Sequence, residues 1–481
     1  MRTRVPSHNL HSTSSGRARR VLYVLALILA LVYGQYNELS MALDVPLIRV
    51  AGNSFYLLDI LLFVCFGVWL FTKRELAWGQ RPQLWLLLFL AWTVIVGTGR
   101  SVLLDVPYHT WIREMRTVAY FGFVLLLPEA VNSKERAITI ARLLLIGSVA
   151  IAAMAVAVRL NYLDITPGKN LLVFTATGDA RIFIVYGVER ATYAALFAAG
   201  ALLALGNVFL VLVLALNVLT LVLSLTRGAY IALFAGIVMT IAATRSPWRL
   251  LRSIALVLAL VGFAYAGGWF LDTITGEGQF DAFVARLGEL SDLTAGSGTV
   301  GTRLVESRVV LQYLFDNPDA LVLGQGLGGL FEDPLNLLTN EIQYLGDRRY
   351  SYVHNGYLWT VLRSGVIGAF LFYAFWIGLA YKSLVLLQRT TDPRVKGILL
   401  GIIGVVVGAL TLSLSGQPLG EGPRMSVLAV YAAVGLATTR LVEQGNEGEA
   451  APRNTGKQPW VSRGSWPAKT GADSPANRLR K

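Results

Sequence analysis

The chain has 481 residues, of which 55% are hydrophobic and only 15% are charged, and its mean hydropathy is +0.57. Soluble globular chains carry about 25% charged residues, so this composition excludes a cytosolic enzyme, a fibrous protein and a disordered protein. The single cysteine, Cys65, excludes a small secreted domain built on disulfides. A polytopic membrane protein is the class that remains.

Apolar runs long enough to cross a bilayer recur along most of the chain. A transmembrane helix needs about 20 apolar residues, and this rule predicts about twelve spans. They are 21–36, 54–71, 83–98, 117–131, 137–157, 190–205, 207–225, 228–243, 251–270, 356–381, 397–415 and 425–440. The predicted fold class is an all-α polytopic membrane protein of about twelve transmembrane helices, with a large, partly helical periplasmic loop domain between spans nine and ten.

The positive charges predict the orientation of these spans. The chain has 42 Lys and Arg against 29 Asp and Glu, and the basic residues fall in the N-terminal tail, in alternate connections and after Arg440. Examples are Arg19 and Arg20, Lys73 and Arg74, Lys134 and Arg136, Arg245 and Arg249, and Arg389 and Arg394. The positive-inside rule then makes both termini cytoplasmic, and it explains the net charge of +13 without a nucleic-acid partner.

The predicted organisation has five parts along the chain. Residues 1–18 and 442–481 are polar and are predicted to be disordered cytoplasmic tails. Residues 19–270 carry spans one to nine, 271–355 form the periplasmic loop domain, and 356–441 carry spans ten to twelve. No small-residue cleavage site follows the first apolar run, which is therefore interpreted as a span and not as a signal peptide.

The loop domain is acidic and contains helical patterns of its own. Apolar residues at helical spacing predict an amphipathic helix over 279–290. A second helix is expected from Arg303 to Phe315, ending before Asn317 and Pro318. The glycine-rich stretch 324–329 needs a tight backbone, and we expect it to be exposed. A loop of this length in a compact protein is usually functional or disordered.

Among the charged or titratable side chains at the predicted outer ends of spans or in the loop domain, four are candidate site residues. Arg190 opens the sixth span, Arg227 stands between two apolar runs, Arg303 begins the loop helix, and His354 precedes the tenth span. Ionisable residues in membrane proteins usually line a protein interior or a water-filled cavity. All four are predicted on the same membrane face, where they could converge on one cavity.

Each of these residues also has a structural interpretation. An arginine at a span end can extend its charge to the interface, and Arg303 could pair with Glu306 one helical turn further on. His354 and His109 both lie among aromatic residues that are typical of a membrane interface. For His109 we favour that interpretation, and we expect Asp59 to be the structural partner of an arginine.

Other chemistries fit the sequence poorly. The four histidines cannot form a zinc cluster, because two of them lie in the N-terminal tail. A phosphate-binding P-loop motif and a serine nucleophile elbow are both absent from the sequence. Arginines and one histidine can, however, transfer a sugar from a lipid diphosphate. Guanidinium groups bind phosphate oxygens bidentately, and an imidazole can take the proton of an acceptor hydroxyl.

A series of short motifs supports this chemistry. In chain order they are 224–233 (SLTRGAYIAL), 301–303 (GTR) leading to 315–318 (FDNP), 323–328 (LGQGLG), 354–358 (HNGYL) and 365–368 (GVIG). By these motifs the chain resembles the O-antigen ligase and O-antigen polymerase superfamily of bacterial envelope glycosyltransferases. The resemblance is strongest over residues 185–370, and it carries the function prediction.

The resemblance implies a metal-independent, inverting transfer of a glycan from undecaprenyl diphosphate at the periplasmic face of the inner membrane. Arg190, Arg227 and Arg303 would bind the diphosphate, with Arg308 as the alternative to Arg303. His354 would activate the acceptor, and no cofactor is implied. The implied partners are the lipid-linked glycan, a lipid A–core or lipid-linked acceptor, and the surrounding membrane lipids.

Two alternatives remain open at this point. An O-antigen, capsule or exopolysaccharide polymerase shares these parts and differs from a ligase only in its acceptor. A secondary transporter of an organic anion could also use arginines, but it predicts inverted internal repeats that this sequence does not display.

Overall fold

The computed structural model is mostly helical in the part of the chain that it describes. The described residues are 11–32, 48–50, 53–55, 57–72, 80–159, 172–174, 180–182, 187–224, 226–244, isolated positions between 259 and 273, 298–333, 349–350, 353–416 and 422–450. The chain divides into a large unit, Met1–Glu443, and a C-terminal unit, Gln444–Lys481. The second unit is helical as far as Ala450.

The helices are numbered here in chain order. In the first half they are α1 His11–Val32, α2 Leu57–Thr72, α3 Arg81–Trp92, α4 Thr98–Leu103, α5 Tyr108–Ala119, α6 Gly122–Ala130, α7 Lys134–Arg159, α8 Gly187–Leu205 and α9 Val208–Ser224. In the second half they are α10 Arg227–Thr244, α11 Gly298–Asp316, α12 Pro318–Leu323, α13 Gly356–Arg389, α14 Pro393–Leu412 and α15 Gly422–Ala450. A π-helical turn, Thr93–Gly97, joins α3 to α4.

Three small antiparallel hairpins accompany the helices. β1 Ile48–Val50 pairs with β2 Asn53–Phe55, and β3 Leu172–Phe174 pairs with β4 Ala180–Ile182. β5 Phe331–Glu332 pairs with β6 Arg349–Tyr350 in the predicted loop domain. These two-stranded elements are additions to the predicted all-α fold and do not change its helical class.

Seven helices in the described residues are long and apolar enough to cross a membrane. They are Arg81–Leu103, Lys134–Ala157, Val188–Leu205, Arg227–Thr244, Gly356–Arg389, Pro393–Leu412 and Met425–Gly445, and Val208–Ser224 is a shorter apolar helix. A multi-pass membrane protein is therefore supported. The number of twelve spans and the periplasmic side of the loop domain stay predictions.

Several predicted boundaries differ from the structure. The span expected at 117–131 is divided into α5 and α6, which meet at Tyr120 and Phe121. α1 and α15 extend into the tails predicted to be disordered, over 11–18 and 442–450. Once an apolar run has nucleated a helix, each added residue costs little, so polar flanks continue it. The predicted span 251–270, apart from isolated positions, and the helix 279–290 lie outside the described residues.

The helix α14 lies at the centre of the large unit and packs against α8, α10 and α13. Glycines on α14 allow this close approach: a Cβ at Gly397 would lie 3.2 Å from the Cα of Ala201 on α8, and one at Gly404 would lie 2.7 Å from the Oγ1 of Thr240 on α10. Membrane helices associate through such small residues, because lipid gives them no hydrophobic driving force.

One end of this bundle is defined by an apolar cluster. It contains Leu203, Ala243, Leu386, Val395 and Val442, which lie at the ends of α8, α10 and α13, at the start of α14 and far along α15. The starts of α8, α10 and α13 and the end of α14 therefore lie at the opposite end. Arg190 and Arg227 lie at two of these helix starts, and His354 lies just before the third, so all three belong to that opposite end.

Candidate functional site

Arg190 and Arg227 lie where helices meet at one end of the bundle. Arg190 is in the first turn of α8 and is only 4% exposed, and Arg227 begins α10. Val188 and Ala191, on either side of Arg190, pack in one apolar cluster with Ala229, two residues after Arg227. The structure thus brings the chain positions of the two arginines to the same helix junction.

The turn 413–416, which follows α14, connects this junction to His354. A Cβ added at Gly228, directly after Arg227, would overlap a serine side chain of this turn. The backbone N–H of Gly356, two residues after His354, donates to a carbonyl of the same turn over 2.7 Å. Gly228 and Gly356 thus contact the same turn, and they lie one and two residues after Arg227 and His354. The turn therefore brings the chain at Arg227 near the chain at His354.

The imidazole of His354 contacts a buried carboxylate on α11. The Nδ1 atom of His354 lies 2.9 Å from both Oε1 and Oε2 of Glu306, and the backbone N–H of His354 donates to Oε2 over 3.2 Å. The side chain of Glu306 is 2% exposed, whereas that of His354 is 35% exposed. Asn355 then caps α13, because its side chain accepts from the backbone N–H groups of Tyr357 and Leu358.

The position of Glu306 also separates the two arginine candidates on α11. At about 100° per residue, Arg303 is about 60° around the helix from Glu306, whereas Arg308 is about 160° away. Arg308 is exposed, and Arg303 is partly buried. Since Glu306 faces His354, Arg303 is on the histidine side of α11 and Arg308 is on the other side.

The glycine-rich stretch 324–329 has the predicted tight backbone, but it is buried and not exposed. Its glycines 324, 326 and 328 have φ values of +82°, +81° and +73°. A Cβ at Gly326 would lie 2.5 Å from the carbonyl oxygen of Gly97 and 2.8 Å from the backbone nitrogen of Ser101. The stretch is thus inserted between other elements, and its glycine positions have no room for a side chain.

A buried ion pair holds the end of this stretch. An Nη2 of Arg363 on α13 lies 2.9 Å from Oε1 of Glu114 on α5, and both residues are buried. The other oxygen of Glu114 accepts from the backbone N–H of Gly328 over 2.6 Å, and Arg363 also donates to the carbonyl of Gly329. Breaking a buried pair by removing one partner typically costs about 3–5 kcal/mol.

A tyrosine on α11 contacts the same stretch. The hydroxyl of Tyr313 accepts a hydrogen bond from the side-chain amide of Gln325. Burial raises the pKa of Tyr313 above its ordinary value, and the nearby carboxylate of Glu332 acts in the same direction. The phenol therefore stays protonated at neutral pH and acts as a neutral contact.

The structure also places the residues that were given structural interpretations. Asp59 accepts from the hydroxyl of Tyr120 over 2.6 Å and lies 3.7 Å from an Nη1 of Arg116, as expected of a partner for an arginine. His109 is exposed on α5.

Two contacts of the site were not predicted from the sequence. They are the contact of Glu306 with His354 and the pair of Glu114 with Arg363, whose partners are 48 and 249 residues apart in the chain.

Part of the chain matches a known protein family. Residues 210–373 match the family model described as O-antigen ligase, which is about a third of the chain. The match confirms the predicted resemblance to the O-antigen ligase and polymerase superfamily over this part of the chain, and it supports a glycosyltransferase of that general type. A comparison with curated proteins found no match. Arg227, Arg303 and His354 lie within the matched residues, and Arg190 lies before them.

Proposed function

We propose that the protein is an O-antigen ligase-like glycosyltransferase. It moves a glycan from undecaprenyl diphosphate to a hydroxyl of a lipid A–core sugar at the periplasmic face, with inversion at the anomeric carbon and without a metal ion. The observation that supports this most is the placement of the starts of α8, α10 and α13 at one end of the bundle. The contact between Glu306 and His354 brings α11, which carries Arg303, next to the start of α13.

The arginines would bind the diphosphate of the donor. Guanidinium groups stay charged in a poorly solvated site and match phosphate oxygens with two parallel hydrogen bonds. As the bond between the sugar and the diphosphate breaks, negative charge grows on the leaving oxygen. Fixed cations at that position stabilise the transition state, because they need no reorganisation during the reaction. Arg190, Arg227 and Arg303 are assigned this role.

His354 would activate the acceptor. The acceptor oxygen forms the new bond to the anomeric carbon, the bond from that carbon to the diphosphate oxygen breaks, and the electron pair leaves with the diphosphate. The hydroxyl proton passes to the imidazole. A positioned general base of this kind contributes about 10²–10⁴-fold to the rate.

A polymerase that joins lipid-linked repeats is the second candidate. The matched family and the proposed chemistry fit it equally, since it differs only in using a lipid-linked glycan as the acceptor. The transporter hypothesis is weaker, because the family match gives it no support.

The histidine assignment is tested in a strain that lacks the gene and carries the wild-type, His354→Ala or His109→Ala protein. We expect His354→Ala to lower glycan transfer at least 100-fold, because the base contributes about two to four orders of magnitude. His109→Ala is the matched control, since this histidine is exposed on α5. Normal transfer by a normally abundant His354→Ala protein would remove the base assignment.

The same strains distinguish the two candidate functions. Without a ligase, polymer disappears from the core lipid and accumulates on the lipid carrier. Without a polymerase, single repeats are found in place of polymer. Unchanged surface glycans in the deletion strain would contradict both candidates.

A further inference from the structure

We propose that Glu306 is a positioning residue for His354: it binds Nδ1 and so makes Nε2 the ring atom that takes the acceptor's proton. This inference rests on the proposed function, because it refines the role of the same histidine. From sequence, Glu306 enters only as a possible partner of Arg303 one helical turn away. In the structure, the carboxylate lies against the imidazole.

The geometry fixes one edge of the ring. Both carboxylate oxygens of Glu306 are 2.9 Å from Nδ1 of His354, and one of them also accepts from the backbone N–H of the same residue. The ring and its backbone are thus held by one side chain. Because Glu306 is buried while about a third of the His354 side chain is exposed, the substrate must approach from the side away from the carboxylate.

An ionised carboxylate can only accept hydrogen bonds. Its contact with Nδ1 therefore selects the tautomer in which Nδ1 carries the hydrogen and Nε2 carries the lone pair. When Nε2 takes the proton from the acceptor hydroxyl, the ring becomes positively charged, and the carboxylate beside it stabilises that charge. As in other base–carboxylate pairs, the proton rests on the imidazole and does not pass on to the carboxylate.

The surrounding packing keeps both partners in place. Val309 and Val310, on the turn of α11 after Glu306, are fully buried in an apolar cluster with Val353, the residue before His354. On its other side His354 is followed by the cap residue Asn355. The histidine therefore stands between a buried side chain and a helix cap, and α11 cannot move away without exposing the cluster.

The test uses the full-length protein in detergent with a synthetic undecaprenyl-diphosphate-linked oligosaccharide as donor. Glu306→Gln keeps the size of the side chain, but its amide can donate to Nδ1 and stabilise the other tautomer. We expect kcat to fall at least 10-fold while KM for the donor stays within about twofold, because the arginines still bind the diphosphate. Glu306→Asp, which keeps the carboxylate on a shorter stem, should retain more activity per folded molecule than Glu306→Gln.

The second arm repeats Glu306→Gln in a His354→Ala protein. If Glu306 acts through His354, the residual rate of the double variant equals that of His354→Ala alone. A further fall in the residual rate, or equal activity of the Asp and Gln variants, would overturn the positioning role. Full activity of His354→Ala would instead overturn the proposed base, so the two failures are distinguishable.

Discussion

At the scale of single residues, the proposed donor site depends on the difference between arginine and lysine. A guanidinium offers a planar pair of donors to a phosphate, whereas an ammonium is a point charge on a flexible stem. Arg303 lies on the histidine side of α11, one turn before Glu306. This is the position at which we expect the difference between arginine and lysine to matter. The sequence predicts Arg303 as the diphosphate ligand, with Arg308 as the alternative. The structure distinguishes them, because Glu306 faces His354 and Arg303 is on the same side of α11 as Glu306.

Arg303→Lys is therefore expected to lower kcat/KM for the lipid-linked donor by about 10- to 100-fold, which corresponds to the loss of a charge-assisted hydrogen bond of about 1.5–3 kcal/mol. The measurement is a transfer assay on purified protein. Arg308→Lys is the matched control, because Arg308 is exposed and on the other side of the same helix. The opposite pattern, with Arg308→Lys impaired and Arg303→Lys unaffected, would move the diphosphate contact to Arg308.

At the scale of elements, the glycine-rich stretch 324–329 joins the predicted loop domain to the apolar helices. The N–H of Gly326 donates to the carbonyl of Arg363 over 3.2 Å, and the Oγ of Ser101 donates to the carbonyl of Leu327 over 2.8 Å. Its burial was not predicted, because the elements that cover it, α4 and α5, lie more than 200 residues earlier. A glycine pattern predicts a tight backbone but not what packs against it.

Gly326→Ala should lower the melting temperature of the detergent-solubilised protein and weaken transfer. The left-handed backbone alone costs an alanine about 1–2 kcal/mol, and its Cβ would lie 2.5 Å from the carbonyl oxygen of Gly97. Gly206→Ala is the control: Gly206 also has a positive φ, of +62°, but a Cβ there meets no atom within 4 Å. Equal melting temperatures for the two variants would show that the stretch is not closely packed.

At the scale of the whole molecule, the large unit has two chemically different ends. The end defined by the apolar cluster around Leu203 and Val442 also carries Arg389, Arg394 and Lys396 on the α13–α14 connection. The other end carries the starts of α8, α10 and α13, with the candidate site. From the positive-inside rule we predict that the basic end is cytoplasmic and that the site end is periplasmic.

This orientation can be measured by labelling cysteines with a membrane-impermeant maleimide. Because Cys65 is the single cysteine of the chain, Cys65→Ala gives a cysteine-free background. We expect Asp316→Cys, at an exposed position on α11, to be labelled in intact spheroplasts. We expect Thr391→Cys, on the exposed α13–α14 connection, to be labelled only after the membrane is opened. The reverse result would place Arg227 and His354 in the cytoplasm and would contradict the proposed function.

The sequence by itself determined the helical membrane class and the superfamily, because these depend on local properties, and it supplied four site candidates that stay predictions. Apolar length, basic flanks and short motifs can be read without knowing what packs against them. Only the tertiary structure placed Glu306 against His354, paired Glu114 with Arg363 and buried the stretch 324–329. Each of these contacts joins segments far apart in the chain, so the partner of a buried carboxylate depends on which elements pack against it and not only on its neighbours in sequence.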